Sequence, residues 1–345
     1  MIGLRMADGL ESVEGSRDAT RTALLGLITA AFGLALLVWL VSRVGIDAIL
    51  SGARAVGWGF AAVIAISALR IWTRAFAWTR CFSPPDRLGV GDAFAAGLCA
   101  EAVGSLTPLG PLAGEPARAA FVTPQVPVRA ALAAVAAENV FYSLSAAVMI
   151  AAGMIALLAG FTLPGTLHRA GAFSLAATLA LVAVIVGTLW LAARRAAVLA
   201  AIAQRVAGPA RAEQVRALER RAHAALDLGP GRLAAVAGAE ALFHVAGVAE
   251  VHVTLWLLLG EAPPVLTSFV LEAVNRVINV IFRFVPLRLG VDEAGTGLMT
   301  RIVGLGGAVG VTLALVRKAR MLVWSLAGAL VMLRRGRMYD RLPRG

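Results

Sequence analysis

Four polar side chains fall on one face of an otherwise apolar segment if that segment is helical. Glu272, Arg276, Asn279 and Arg283 are spaced at i, i+4, i+7 and i+11, which places them in one continuous stripe. The spacing of Glu272 and Arg276 also suits an ion pair. Because a planar guanidinium group matches the oxygens of a phosphate, the stripe has the chemistry to bind a lipid headgroup.

Two interpretations of this stripe differ in what the arginines contact. In one, the charged residues form an internal salt-bridge seam that holds the segment against its neighbours. In the other, they form a polar track for a lipid headgroup. We favour the track because we assign no local acidic partner to Arg283 or to Arg288, and charges inside a membrane mark substrate paths when they are not paired.

Two proline–glycine breaks interrupt apolar stretches, and each is followed by acidic residues. The breaking residues are Pro108, Pro111 and Gly114 in the first break, and Pro286 and Gly290 in the second. The acids that follow are Glu115, and Asp292 with Glu293. Lipid tolerates a broken helix only where it is buried in protein or lines a wet cavity. A matched pair of breaks in two halves of a membrane protein therefore indicates a transport site.

A simpler role for these acids is helix capping. Glu115 precedes Pro116, a favoured first residue of a helix, and a carboxylate there stabilises the helix N-terminus. Asp292 and Glu293 allow the same interpretation. Because the arrangement occurs at both breaks, we predict that the acids also belong to a binding site.

A further charge follows each break in the next apolar segment. Glu138 lies 23 residues after Glu115, and Arg317 lies 24 residues after Glu293. Arg118 lies one helical turn after Glu115. We predict that Glu138 and Arg317 face each other across the two halves as an ion pair.

The last apolar segment carries three cations near its middle: Arg317, Lys318 and Arg320. Such a cluster needs acidic partners or water inside a membrane. We expect acidic partners at Glu138 and, from the second break, at Asp292 and Glu293.

The composition is that of a polytopic membrane protein, with 59% hydrophobic and only 15% charged residues among 345. The net charge of +12 comes almost entirely from arginine, since Lys318 is the only lysine. These basic residues are spread among apolar segments, which favours membrane anchoring over nucleic-acid binding. The sequence predicts no nucleic-acid partner, no cofactor and no metal site.

Six apolar segments are long enough to cross a membrane. They cover residues 22–42, 57–79, 128–158, 170–192, 232–259 and 306–333. Two further apolar segments, 91–125 and 265–304, contain the breaks. The loop 193–231 and the tail 335–345 are rich in arginine, so the positive-inside rule places both in the cytoplasm.

Counting the spans from these cytoplasmic segments, with residues 1–21 as a cytoplasmic tail, makes each broken segment a re-entrant hairpin. The alternative is that residues 265–283 cross the membrane fully. We predict an all-α fold of about six full spans plus two re-entrant helical hairpins, arranged as two inverted repeats. The first repeat covers residues 22–160 and the second covers 161–334.

Other polar residues admit several interpretations. Arg70 and Arg74, near Trp72 and Trp78, are typical of a basic and aromatic belt at a membrane surface. Glu240 and His244 share a helix face and suit either satisfied polar packing or a proton-titrating pair. No phosphate loop or nucleophile motif is found, so we do not expect an enzyme.

Three segments carry a family resemblance. They are Leu106-Thr107-Pro108 through Gly114-Glu115-Pro116-Ala117-Arg118, then Glu138-Asn139-Val140, and then Pro286 through Gly290-Val291-Asp292-Glu293-Ala294 with Arg317. In these segments the chain resembles the lysylphosphatidylglycerol-synthase transmembrane-region family of flippase-like membrane proteins. The Leu287-Arg288-Leu289 run departs from the small residues of that family, and Gly110 with Gly114 replaces a tighter glycine run.

The resemblance implies a lipid flippase or scramblase-like transporter of the bacterial inner membrane, moving a phospholipid or another polar lipid. Bifunctional relatives also carry an aminoacyl-transferase domain, and no lysyl transfer is expected here. The expected partners are anionic or zwitterionic phospholipids, and a homo-oligomer is left open. The alternative is a membrane enzyme or accessory subunit that presents a lipid or polyprenyl-linked substrate in glycolipid or hopanoid synthesis. A third interpretation is a non-transporting scaffold.

Overall fold

The computed structural model describes residues 54–106, 111–193, 228–282 and 290–339, together with isolated positions between these ranges. Some predicted features lie outside the described residues: the tail 1–21, the span 22–42, most of the loop 193–231, the residues Pro108, Arg283 and Pro286, and the chain end after Tyr339.

The described residues form helices and turns without strands, which confirms the predicted all-α class. A 3-10 turn at Gly57–Gly59 leads into the first helix. The helices are α1 (Phe60–Arg80), α2 (Val90–Leu106), α3 (Pro111–Phe121), α4 (Val128–Gly160), α5 (Gly165–Ala193), α6 (Gly229–Leu259), α7 (Val265–Ile281), α8 (Val291–Ile302) and α9 (Gly307–Tyr339).

Proline and glycine set several helix ends. Pro127 and Pro264 are extended immediately before α4 and α7, where a missing N–H removes no helical hydrogen bond. Gly260 follows α6 with a φ of 76°, in the left-handed region that favours glycine. Gly290 has a φ of 77° immediately before α8. Gly290 of the second predicted break therefore lies in a turn before α8.

Four helices in the described ranges are long and apolar enough to cross a membrane. They are Arg54–Arg80, Val128–Gly160, Gly165–Thr188 and Gly229–Leu259, and they match four of the predicted spans. The predicted span 306–333 is also helical, within α9, but it carries the three central cations and is not among these four. A multi-pass membrane protein is confirmed.

Each predicted hairpin segment contains two short helices that pack against each other. α2 and α3 have 17 and 11 residues, and α7 and α8 have 17 and 12 residues. At 1.5 Å per residue the longer helices extend about 26 Å, which is less than a hydrocarbon core of about 30 Å. The re-entrant course of these helix pairs stays a prediction.

Contacts between the helices come in matched pairs. α1 packs against α6, α2 packs against α9, and α7 packs against α4. Glycines bring the last two pairs close together, because Gly328 of α9 meets the Leu98 backbone in α2 and Gly153 of α4 meets Ala273 in α7. Two structural repeats would produce this pattern, and their inverted arrangement stays a prediction.

Candidate functional site

Two arginines of α1, Arg70 and Arg74, reach into different groups of charged residues. We define three groups by their members. The first cluster is Arg74, Glu115, Arg118 and Glu138. The second cluster is Arg70, Glu250, Glu272, Arg276, Arg317 and Arg320. The third cluster is Arg288, Asp292, Glu293 and Lys318.

The first cluster is centred on Glu138 of α4, which is fully buried. Arg74 donates two hydrogen bonds to its carboxylate, from Nε at 2.9 Å and from Nη2 at 3.0 Å. Arg118 of α3 donates a third bond, from Nη1 at 3.1 Å. One carboxylate thus joins α1, the first hairpin and α4, and both arginines are charge-paired.

Glu115 completes the first cluster, but its contacts are looser. Its carboxylate lies 3.9 Å from Arg74 Nη2 and 3.7 Å from Arg118 Nη1, which is too far for a hydrogen bond. Its side chain is 27% exposed. Because α3 begins at Pro111 rather than at Pro116, Glu115 lies in the second helical turn, and the alternative interpretation of Glu115 as a helix cap is wrong.

Aromatic rings cover the arginines of the first cluster. The Arg74 guanidinium lies 4.3 Å from the ring centre of Tyr142, and that of Arg118 lies 4.3 Å from the ring centre of Trp78. Such cation–π contacts stabilise a guanidinium that has lost water. The prediction that Arg74 and Trp78 form a surface belt is therefore wrong, because Trp78 is fully buried and Arg74 pairs inside the bundle.

The second cluster is built on two buried carboxylates. Glu250 of α6 contacts Arg70 at 2.7 Å and Arg320 of α9 at 2.9 Å. Glu272 of α7 contacts Arg276 at 2.7 Å, which confirms the predicted i, i+4 pair.

Glu272 also organises the contacts between helices in this cluster. Its carboxylate lies 3.6 Å from Arg70 and 3.5 Å from Arg317. It fits because a Cβ added at Gly247 of α6 would lie only 2.7 Å from Glu272 Oε1. The predicted ion pair between Glu138 and Arg317 is wrong, since Arg317 faces Glu272 and Glu138 is held by the first cluster.

The third cluster lies at the second break. Lys318 Nζ is 3.4 Å from Asp292 and 3.2 Å from Glu293, so the second break supplies acids to the α9 cations as predicted. Arg288 is 3.4 Å from Asp292, and our interpretation of Arg288 as lacking a local acid is wrong. Both acids lie in the first turn of α8 without a capping side-chain hydrogen bond.

The two predicted hairpin segments pair with their neighbouring long helices through opposite charges. In the first half, the hairpin supplies the cation, Arg118, and α4 supplies the acid, Glu138. In the second half, the hairpin supplies Asp292 and Glu293, and α9 supplies the cation, Lys318. Helix α4 therefore supplies an acid to its neighbouring segment, and α9 supplies a cation to its own.

Two cavities touch these clusters. A small one, of about 50 Å³, is bounded by residues of the second and third clusters and by Asn279. A large one, of about 1440 Å³, is lined by members of all three clusters and by apolar residues of α4 and α5. The two share Arg70, Asn279, Arg288 and Arg320 as wall residues.

A separate polar group lies beside the first cluster. Ser145 of α4 contacts Glu240 Oε2 at 3.2 Å and His244 Nε2 at 3.1 Å. Glu240 therefore binds the serine rather than the imidazole, which is not the order of a nucleophilic relay. Within the described ranges, no group of three or more His, Cys, Asp or Glu residues is placed to hold a metal ion.

Several members of the site are not predicted from the sequence. Arg70 and Arg74 were assigned to a surface belt, Glu250 was given no role, and Tyr142 was not considered. Arg70 and Arg74 are spaced at i, i+4 within an apolar span, and intramembrane charges normally face a bundle interior. That rule could have placed them in the site.

Comparison with known proteins identifies a family. No curated protein and no solved structure matches the chain. Residues 24–328 match the family model described as the lysylphosphatidylglycerol synthase TM region. This match covers most of the 345 residues and indicates a membrane protein linked to lipid handling. The chain therefore belongs to the lysylphosphatidylglycerol synthase transmembrane-region family.

Proposed function

We propose that this protein is a lipid flippase or scramblase-like transporter that moves a phospholipid or another polar lipid across the bacterial inner membrane. It is not proposed to be an enzyme. The observation that carries the proposal is the large cavity, which joins a charged region to an apolar groove in one continuous space. A membrane lipid has the same division into a charged headgroup and apolar chains.

The charged end of the cavity suits a headgroup. Arg74, Arg118 and Glu115 line it from the first half, and Arg276 and Arg320 line it from the second. Glu115 makes only ion pairs of 3.7 Å and longer, so a phosphate could replace it at the two arginines. Replacement of a loosely held carboxylate by a phosphate keeps both guanidinium groups neutralised.

The apolar end suits acyl chains. Met154 and Leu157 of α4 and Leu181 of α5 line it. Phe173 of α5 also lines it and is 76% exposed, so the groove reaches the molecular surface there. A volume of about 1440 Å³ exceeds the ~300–1,000 Å³ of common small-molecule pockets, which supports a lipid as the occupant.

Reconstitution of the purified protein in liposomes tests this function. Movement of a fluorescent phospholipid between leaflets is measured by dithionite quenching. Glu115→Gln removes the carboxylate that competes with the phosphate for Arg74 and Arg118, so we expect slower headgroup release and movement slowed by about tenfold, a change of ~1.4 kcal/mol. The matched control is Glu261→Gln, which changes an exposed acid outside the cavity.

The same liposomes separate the rival functions. Chemical conversion of the lipid without movement, detected by mass spectrometry, would favour a membrane enzyme or an accessory subunit. Neither movement nor conversion, in protein that remains folded, would favour a scaffold and reject transport.

A further inference from the structure

The small cavity is surrounded by more positive than negative charge. Of the described residues that line it, five are basic and three are acidic. The basic residues are Arg70, Arg288, Arg317, Lys318 and Arg320, and the acidic residues are Glu250, Glu272 and Asp292. Adding the remaining members of the second and third clusters, Arg276 and Glu293, leaves the excess unchanged at two positive charges.

Arg317 accounts for much of this excess. Its side chain is only 9% exposed, and both of its terminal nitrogens are buried without a hydrogen-bond partner. Its nearest carboxylate oxygen, Glu272 Oε2, lies 3.5 Å away and already accepts a hydrogen bond from Asn275 at 3.4 Å. Arg317 therefore lines the cavity with two buried donors that no described residue satisfies.

The other clusters do not share this imbalance. The first cluster contains two cations and two acids, and Glu138 hydrogen-bonds both of its arginines. In the third cluster, Lys318 lies between Asp292 and Glu293. Unpaired buried charge is costly in protein and more so in a membrane. A bound anion beside Arg317 would remove that cost.

The size and charge of the cavity restrict the anion. A volume of about 50 Å³ corresponds to roughly three to five water molecules at ~10–15 Å³ each. A phosphate group is of that size, whereas a glycerol or sugar headgroup is larger. A phosphate monoester carries a charge of about −1.5 to −2, which balances the excess, and a phosphodiester carries only one negative charge.

We propose that the small cavity binds a phosphate dianion, either the terminal phosphate monoester of a lipid or free inorganic phosphate. In the lipid case, the proposal rests on the transport function proposed above and assigns its substrate class. The monoester would occupy the small cavity, and the chains would extend through the shared wall into the large one.

Thermal unfolding of the purified full-length protein in detergent tests the binding, with inorganic phosphate titrated at constant ionic strength against chloride. We expect a saturable rise in unfolding temperature. Arg317→Gln should weaken the apparent phosphate affinity at least about tenfold, a loss of ~1.4 kcal/mol. The matched control is Arg80→Gln, since Arg80 lies over Phe76 and outside the cavity.

A second variant covers the case in which Arg317→Gln does not fold. Asn279→Asp keeps every arginine and adds one negative charge to the cavity wall, so it should also weaken phosphate binding. No phosphate effect beyond that of chloride, or equal effects in both variants and in the wild type, would overturn the proposal.

Competition identifies the source of the phosphate. If short-chain phosphatidic acid displaces phosphate and phosphatidylglycerol does not, the ligand is a lipid monoester. If neither lipid displaces phosphate, the site takes the free ion. This binding is measured without a bilayer. If the protein binds phosphate through Arg317 but moves no lipid, the transport function is rejected and the phosphate site stands. If the protein moves lipid but binds no phosphate, the phosphate site is rejected and the transport function stands.

Discussion

Arg276 of α7 donates a hydrogen bond from Nη1 to the phenolic oxygen of Tyr142 on α4, over 3.2 Å. The ring of the same tyrosine lies under the guanidinium of Arg74. Tyr142 therefore contacts the first cluster with its face and the second cluster with its hydroxyl. It also lines the large cavity, so it joins the two clusters at the surface proposed to hold the headgroup.

Replacing Tyr142 by phenylalanine separates these two contacts. Tyr142→Phe keeps the ring under Arg74 but leaves Arg276 Nη1 without its acceptor. We expect a loss of ~1.5–3 kcal/mol in unfolding free energy, the range for hydrogen bonds to charged groups. Chemical denaturation in detergent measures it. Tyr142→Leu should cost more because it also removes the cation–π contact, and equal losses would contradict this division.

Removing the central carboxylate of the first cluster should be costly. Glu138→Gln leaves Arg74 and the buried Arg118 with only the more distant Glu115 as an anion, and we expect a loss of about 3–5 kcal/mol. Thermal unfolding measures the loss. The double variant Glu138→Gln with Arg118→Gln should be less destabilised than the sum of the two single changes.

The exposed acid Glu261 again supplies the control for Glu138. Glu261→Gln lies in the turn after α6, and surface charges of this kind contribute little. We expect its unfolding temperature to match that of the wild type. A similar loss at both positions would mean that the ion pairs around Glu138 do not stabilise the fold.

Filling the large cavity should block transport without loss of stability. Ala146 lines the cavity from α4, so Ala146→Trp places an indole ring in the proposed lipid path. The control is Val148→Trp on the same helix, since Val148 is 54% exposed and does not line the cavity. We expect lipid movement in liposomes to fall only for Ala146→Trp. Unchanged movement in that folded variant would exclude this cavity as the path.

The contact between α4 and α7 depends on a missing side chain. A Cβ at Gly153 would overlap Ala273 of α7, so Gly153→Ala should destabilise the protein by about 1–3 kcal/mol. Gly238 of α6 has open space around its Cβ position. Gly238→Ala should instead stabilise by ~0.5–1 kcal/mol through helix propensity. Chemical denaturation should therefore show a lower unfolding free energy for Gly153→Ala and a higher one for Gly238→Ala than for the wild type.

Part of the fold was predictable because it depends on local rules. Apolar length located the helices that begin at Gly165 and Gly229, and Gly290 of the second break takes a positive φ before α8. Helical spacing predicted the Glu272–Arg276 pair. These relations are set within a few residues, so the sequence contains them directly.

The partners of most charges depend on packing between distant helices. The nearly equal offsets after the breaks, of 23 and 24 residues, predict that Glu138 pairs with Arg317, but Glu138 binds Arg74 and Arg118. Offsets place residues at equivalent depths along helices and do not say which helix faces which. The contact of α1 with α6 decides that Arg70 meets Glu250, and nothing in the local sequence indicates it.

The position of Arg70 and Arg74 on a single helix sets a fixed interval between the first two clusters. Four residues of α1 span ~6 Å along its axis, and the hydrogen bonds of the helix prevent that interval from stretching. Helix α1 thus fixes the spacing of the two clusters, because it contributes one arginine to each. The first two clusters are therefore held one helical turn apart along α1.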